Sequence, residues 1–116
     1  MRTAKKAQLL RLHFAESDEY HGKPLYEAIV QRAKELGIAG ATVFRGLEGF
    51  GETAELHRRR VTKKDQPVVV TIVDTAENLA RLVPEVRAMM GTGMIATSEV
   101  DCIRIENPPP GGVPSP

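Results

Sequence analysis

The hydrophobic positions of this chain follow a strand period first and a helical period next. Apolar residues occupy every second position in residues 9–15, which predicts a first strand, and residues 16–22 are predicted to form a polar loop. Apolar residues then recur three and four positions apart. This spacing predicts a first helix at residues 24–36, with Pro24 in its first turn and Gly37 as its C-cap.

Three more strands and a second helix are predicted in the rest of the chain. Residues 41–44 are mostly β-branched or aromatic and predict a second strand. The β-branched run at residues 68–73 predicts a central strand that is covered on both faces. An apolar stripe at helical spacing predicts a second helix at residues 75–90, and residues 98–106 predict the last strand.

Two features concern the second helix. Asp74, with Glu77 three residues later, resembles a capping box with an acidic cap, so the helix is expected to begin directly after Asp74. Pro84 removes one backbone hydrogen bond, which predicts a kink or a restart near residues 82–83.

The order strand, helix, strand, strand, helix, strand predicts an α+β fold of the ferredoxin-like βαββαβ type. This fold has a four-stranded antiparallel sheet with two helices on one face. The 116 residues suit one domain, which we place at residues 9–106 after an N-terminal segment at residues 1–8. The tail at residues 107–116 is rich in Pro and Gly and is predicted to be disordered.

A glycine-rich stretch follows the second strand. Gly46, Gly49 and Gly51 leave the backbone accessible, and bare N–H groups in such a loop can bind an anion such as phosphate. The Lys-Ser/Thr pair of a Walker loop is absent, which excludes a P-loop NTPase. A β-bulge at Gly46 with a mobile, ligand-free loop at residues 49–51 explains the glycines equally well.

Charged residues dominate the next segment, residues 52–65, which has too few apolar residues to pack on the core. It is predicted to be a long, exposed and mobile arm. Its basic run from His57 to Arg60 lacks interleaved aromatic residues, and the net charge of the chain is only +1, so no nucleic acid partner is predicted. The sequence predicts neither a signal peptide nor a membrane span, and we expect a cytoplasmic location.

Two helices can cover only one face of a four-stranded sheet, so the other face is predicted to be open. It would carry apolar residues mixed with cations, namely Leu9, Val43, Leu47, Val100 and Cys102 with Arg11, His13, Arg45 and Arg104. Such a surface is unusual on a monomer and predicts self-association in a cyclic oligomer. The like charges then need an anion or a carboxylate, which makes the clefts between subunits candidate anion sites.

Catalytic and metal-binding residues do not form an evident set. Ser98 has no evident base and no carboxylate pair is identifiable, so an enzyme is not predicted. The alternative function is a metal-binding trimer that resembles the copper-tolerance proteins of the same fold. Its candidate ligands are scattered along the chain: His13, His21, Glu55 and His57.

Several ordered motifs resemble a known family, the uncharacterised PII-like family called domain of unknown function one hundred and ninety. The resemblance extends over about residues 9–106 and is carried by residues 22–30, 37–43, 45–51 and 67–70 with Val73-Asp74. It implies a ferredoxin-like subunit and a PII-type homotrimer. It also implies an adenine nucleotide bound in clefts between subunits, near the base of a long loop.

The resemblance places a nucleotide site around the glycine-rich stretch. The PII strand and glycine turn fall on Thr42-Val43 and Gly49-Phe50-Gly51, with one residue inserted near Gly46, and Arg104 is the nearest match to the PII arginines. The implied nucleotide-binding residues are Thr42, Arg45, Gly46, Gly49, Phe50, Gly51 and Arg104. Residues 91–95 lack the phosphate-binding lysine of PII proteins, so another residue must neutralise the phosphate.

The leading hypothesis is therefore a trimeric signalling protein with AMP, ADP or ATP as a ligand and no obligatory cofactor. Its arm would contact a partner through Glu52, Glu55, His57, Arg58, Arg59 and Arg60. Members of the family are often encoded beside a fluoride exporter, so the resemblance makes a membrane transport protein the candidate partner. Uridylylation is not expected, because the tyrosine of the PII loop is missing.

Overall fold

The computed structural model describes residues 4–46 and 66–107, which form a four-stranded antiparallel sheet with two helices packed on one face. The strands are β1 Lys5–Ala15, β2 Glu19–Tyr20, β3 Lys23–Pro24, β4 Thr42–Arg45, β5 Pro67–Asp74 and β6 Met94–Cys102, and the helices are α1 Leu25–Glu35 and α2 Ala76–Met89. The sheet has the order β4-β5-β1-β6, and β2 and β3 pair as a separate hairpin between β1 and α1. The predicted ferredoxin-like fold is confirmed.

The core lies between the sheet and the helices. Every second residue of the two central strands is buried there: Leu10, Leu12 and Phe14 of β1, and Val68, Val70 and Ile72 of β5. The helices bury the residues that recur at helical spacing: Leu25, Ile29 and Ala33 of α1, and Leu79, Leu82, Val86 and Met89 of α2. Strand β5 is central, as predicted, but the described residues cover only one of its faces, since Val73 on the other face is 40% exposed.

The orientation of β4 corrects the predicted open face. Residues that pair across antiparallel strands share a face. Val43 pairs with Val70, and Arg45 pairs with Val68. Both partners are buried core residues, so Val43 and Arg45 lie on the helix side, and their predicted place on the open face is wrong. Phe44 lies on the open face instead. A strand of four residues has too few alternations for its orientation to be read from sequence.

The outer strand β6 begins and ends four residues earlier than predicted, at Met94–Cys102 instead of residues 98–106. It pairs with β1 from His13↔Met94 to Lys5↔Cys102, so β1 also begins earlier than predicted, at Lys5. Arg104 therefore follows the sheet, and its predicted position within the last strand is wrong. The pairing of β1 with β6 determines where both strands begin and end. The alternation of apolar residues alone does not reveal this pairing.

Helix α2 has a different cap from the one predicted. The hydroxyl oxygen of Thr75 accepts the Asn78 N–H at 3.1 Å, so Thr75 and not Asp74 is the N-cap. The helix continues through Pro84 without a restart. Helix α1 begins and ends within one residue of its predicted bounds, with Pro24 at the N-cap position.

Several predicted features lie outside the described residues: Leu47, the glycine turn at residues 49–51, the arm at residues 52–65 and the tail from residue 108. Within residues 4–46 and 66–107, no helix is long and apolar enough to cross a membrane.

Candidate functional site

The side chains of Arg45 and Glu16 meet at one end of the sheet. Arg45 is the last residue of β4, and its guanidinium donates a hydrogen bond to Oε1 of Glu16, the residue that follows β1. The Glu16 N–H donates in turn to the carbonyl oxygen of Gln66 at 2.9 Å, directly before β5. These contacts tie the ends of β1 and β4 to the start of β5.

Glu16 is the residue of this site that the sequence did not reveal. Only 16% of its side chain is exposed, and its Oε2 is buried without a hydrogen-bond donor among residues 4–46 and 66–107. A buried carboxylate oxygen without a donor is unfavourable, so this atom would be stabilised by a hydrogen-bond donor. Glu16 begins a polar run, and no spacing distinguishes it from the loop residues after it.

Gly46 follows Arg45 and is held against β5. Its N–H donates to the Pro67 carbonyl oxygen at 2.7 Å. A Cβ at this position would lie 2.8 Å from Cγ of Pro67, which is too close for two carbon atoms in a well-packed protein. The need for glycine here therefore comes from close packing on Pro67, and it fixes where the chain leaves the sheet after Arg45.

The structure brings together only part of the predicted nucleotide-binding set. Arg45 and Gly46 are adjacent, whereas Thr42 lies on the open face of the same strand. Arg104 follows β6 at the other edge of the sheet and pairs with Glu106 at 3.4 Å. The two ends of β1 next to Arg45 and Arg104 are roughly 30 Å apart at a rise of about 3.3 Å per residue. One subunit therefore does not bring Arg104 to Arg45.

The remaining predicted site residues lie outside the part of the chain that the structure describes. They are Gly49, Phe50 and Gly51 of the glycine turn, and Glu52, Glu55, His57, Arg58, Arg59 and Arg60 of the arm.

A second polar cluster surrounds Asp74, at the end of β5. Its carboxylate accepts hydrogen bonds from the Ala39 N–H at 3.0 Å, the Thr75 N–H at 2.7 Å and the Asn78 side chain at 2.9 Å. Partial burial alone would raise the pKa of Asp74, but these hydrogen bonds and the charge of Arg81 lower it below its usual value. All these partners belong to the fold, so Asp74 joins the loop before β4 to the start of α2.

Arg32 joins the two helices on the surface. It pairs with Glu85 of α2 and, at 3.1 Å, with Glu35 of its own helix. The hydrogen bond with Glu85 raises the pKa of Arg32 above its usual value. Exposed ion pairs of this kind contribute little to stability. The pair of Arg32 with Glu85 connects the two helices, and we do not assign it to a ligand site.

An open depression of about 730 Å³ runs along α1, past Tyr20, Tyr26 and Val43, but it does not reach Arg45. The ring of Tyr20 stacks on His21 with 4.0 Å between ring centroids. The charged residues that line the depression carry both signs, with Lys23 and Lys34 beside Glu27 and Glu35. The depression therefore favours neither an anionic nor a cationic ligand.

The candidate metal ligands do not converge in the described residues. His13 lies on β1, and His21 lies in the turn between β2 and β3. No group of three or more His, Cys, Asp or Glu side chains within residues 4–46 and 66–107 could hold a metal ion. Glu55 and His57 lie outside these residues.

The sheet order and the two helices give this chain the fold of the PII-like proteins. A PII-like protein of Thermus thermophilus is similar over 88% of this chain and 94% of its own, with a TM-score of 0.63 and 15% identity. CPII of Thiomonas intermedia K12, bound to ADP, AMP and acetate, is similar over 89% of this chain and 94% of its own, with a TM-score of 0.60 and 15% identity. At this identity the likeness shows the fold alone.

The chain belongs to the DUF190 family, described as an uncharacterized ACR, whose pattern matches residues 7–102. A UPF0166 protein of Aquifex aeolicus (strain VF5) is 38% identical over 105 residues, which cover 89% of this chain and 98% of the relative. A UPF0166 protein of Methanocaldococcus jannaschii is 32% identical over 97 residues, which cover 81% of this chain and 89% of the relative. The family predicted from the sequence motifs is confirmed.

Proposed function

We propose that this protein is a PII-like regulatory protein that binds an adenine nucleotide, AMP, ADP or ATP, in the clefts between the subunits of a homotrimer. The observation that carries the proposal is the Arg45–Glu16 pair beside Gly46, where β4 leaves the sheet. Membership of the DUF190 family supports it, as does the likeness in fold to CPII, which has been solved with ADP and AMP.

Arg45 supplies the charge that a nucleotide phosphate requires. A guanidinium binds phosphate oxygens through parallel N–H groups and stays protonated at physiological pH. The Arg45 side chain is 56% exposed, so a phosphate can approach the N–H groups that Glu16 does not occupy. Arg45 thus takes over part of the role of the lysine that residues 91–95 lack.

Glu16 supplies an acceptor for the rest of the nucleotide. Its Oε2 is buried without a donor among the described residues, and it would accept a hydrogen bond from a ribose hydroxyl or from the amino group of adenine once the ligand displaces the groups that cover it. Both groups are neutral donors, so they satisfy the carboxylate without placing it against the phosphate. The two members of one ion pair then contact different parts of the same ligand.

Assembly would complete the site. The open face exposes 55% of Phe44, 55% of Met94 and 40% of Val73, an apolar surface that self-association would cover. We assign Arg104 to the cleft as the contribution of a neighbouring subunit, because one subunit holds it far from Arg45.

The partner contact is assigned to the arm that continues from this site along the sequence, through Glu52, Glu55, His57, Arg58, Arg59 and Arg60. A bound nucleotide would shift the conformational equilibrium of this segment, because the segment would make different contacts in the free and bound states. A membrane transport protein is the partner that the family resemblance suggests, and the interaction would take place in the cytoplasm.

Isothermal titration calorimetry with AMP, ADP and ATP tests this proposal. We expect heat of binding with at least one nucleotide, and binding at least about tenfold weaker for Arg45→Met, since a charge-assisted contact to phosphate is lost. Arg87→Met is the matched control, because it removes an exposed arginine from the last turn of α2, and it should bind like the wild type. No heat at millimolar nucleotide with folded wild-type protein would contradict the proposal.

A further inference from the structure

A row of hydrogen-bond donors crosses the middle of the open face. Cross-strand pairing places Thr42 of β4 beside Thr71 of β5, and Thr71 beside Arg11 of β1. Directly paired residues in antiparallel strands have Cβ atoms about 4.5–5.5 Å apart on the same face. Two hydroxyl groups and one guanidinium therefore form a continuous row, which we call the polar band.

Mostly apolar rows lie on both sides of the polar band. Phe44, Val69 and Met94 lie in the row on one side, and Val73 and Leu9 lie in the row on the other. The side chains of Phe44, Met94 and Val73 are exposed. The polar band is thus the centre of a surface whose apolar surroundings favour contact with another protein surface.

This face carries no carboxylate at any of its strand positions within the described residues. Its charged or ionisable side chains there are Lys5, Arg11, His13 and Cys102. Arg11 makes no ion pair or hydrogen bond with residues 4–46 and 66–107 through its side chain. The acidic residues of β6 lie on the helix side, where Asp101 pairs with Lys6 at 3.2 Å.

We propose that the polar band binds an oxyanion of the phosphate class when copies of this chain pack together through the open face. The inference rests on the self-association that forms part of the proposed function. Packing would bury Arg11, which has no partner among residues 4–46 and 66–107, and an unpaired buried charge is strongly unfavourable. An oxyanion accepts hydrogen bonds from the guanidinium and from both threonine hydroxyls, and so removes that penalty.

The polar band is separate from the nucleotide contact proposed at Arg45. Thr42 and Arg45 belong to the same strand, but they lie on opposite faces of the sheet, because Thr42 pairs with Thr71 and Arg45 pairs with the buried Val68. An anion at the polar band is expected to control assembly, since a ligand that binds only the assembled form stabilises that form.

Sedimentation velocity at constant ionic strength, with chloride exchanged for inorganic phosphate, tests the inference. Phosphate should strengthen the association of the wild type by about tenfold or more. Arg11→Met should associate without phosphate and show no response to it. Thr71→Val keeps the side-chain shape and should reduce the response, whereas Arg87→Met removes the same charge from α2 and should respond like the wild type.

ADP in place of phosphate distinguishes the two sources of the oxyanion. If Arg11→Met keeps an ADP response but loses the phosphate response, the polar band takes free phosphate. If it loses both, the polar band takes the phosphate of the nucleotide. Wild-type association that responds to neither anion overturns this inference and also contradicts a nucleotide held between subunits, because both ligands would stabilise the assembled form. An unchanged phosphate response in an Arg11→Met variant that is folded by circular dichroism overturns this inference alone. A wild type that never associates overturns the proposed trimer as well.

Discussion

Arg45 donates a hydrogen bond to Glu16 across the end of the sheet and joins the last residue of β4 to the residue that follows β1. The Glu16 side chain is 16% exposed and that of Arg45 is 56% exposed, so Glu16 is largely buried whereas Arg45 lies at the surface. In the proposed site, a phosphate contacts the remaining N–H groups of Arg45, and a neutral donor of the same ligand reaches Oε2 of Glu16. Binding of the phosphate and of a neutral donor group are therefore expected to be coupled.

Removal of Arg45 alone is predicted to destabilise the protein more than removal of the whole pair. Arg45→Met leaves the largely buried carboxylate of Glu16 without its donor and should lower the free energy of unfolding by about 1–3 kcal/mol. The double variant with Glu16→Gln removes the charge that has lost its partner and should recover most of this loss. Urea unfolding at one protein concentration measures both, and equal stability of the two variants would contradict the prediction.

Gly93, in the turn from α2 to β6, is predicted to tolerate no side chain. Its φ is 139°, and a Cβ would lie 2.4 Å from the carbonyl oxygen of His13, a backbone atom in β1. Gly93→Ala should cost about 2–4 kcal/mol of unfolding free energy. Gly91→Ala is the control: nothing lies within 4 Å of a Cβ there, and its cost should stay below about 1 kcal/mol. Similar thermal midpoints for both variants would show that the turn has another conformation.

Gly46 is predicted to matter for both the fold and the site. A Cβ at Gly46 would contact Cγ of Pro67 at 2.8 Å, so Gly46→Ala should push the end of β4 away from β5 at a cost of about 1–2 kcal/mol. Because Arg45 is the preceding residue, nucleotide affinity should fall as well. Gly40→Ala has open space around its Cβ and serves as the control. Calorimetric titration together with urea unfolding measures both effects, and an unchanged Gly46→Ala would contradict the prediction.

The stability contributed by Asp74 is predicted to depend on pH. Its pKa is lower in the folded protein than its usual value, so its contribution is present above an unfolded pKa of about 3.9 and is lost as the pH falls through the folded pKa. Asp74→Asn should therefore cost about 1–2 kcal/mol near pH 7 and progressively less below about pH 4. Thr75→Ala removes the hydroxyl that caps α2 but no titrating group. The loss of unfolding free energy that it causes should therefore not depend on pH in this way. An Asp74→Asn cost that is constant from pH 7 to acid, measured by urea unfolding, would contradict the prediction.

The apolar pattern predicts those elements whose residues face the core. The first helix and the strand at residues 68–73 occur within one residue of their predicted bounds, because burial selects the spacing of their apolar residues. The edge strands were predicted less well. Pairing with β1 and β5 sets the ends of β6 and the orientation of β4, and pairing between distant segments leaves little trace in a short sequence window.

The candidate site was predictable to a smaller extent. Family motifs pointed to Arg45 and Gly46, which are consecutive in the chain, and their role in binding stays a prediction. They did not point to Glu16, because its role depends on burial and on a contact across 29 positions of the chain. Arg104 was expected near the same site, but within one subunit it follows β6, which forms the sheet edge opposite β4.

Native mass spectrometry of the protein mixed with ADP is the decisive test of a nucleotide held between three subunits, because it counts subunits and bound nucleotides in the same particle. We expect a trimer that carries one ADP per cleft, and Arg45→Met trimers that have lost most of the ADP. A monomer that binds ADP, or a trimer that binds none, would contradict it.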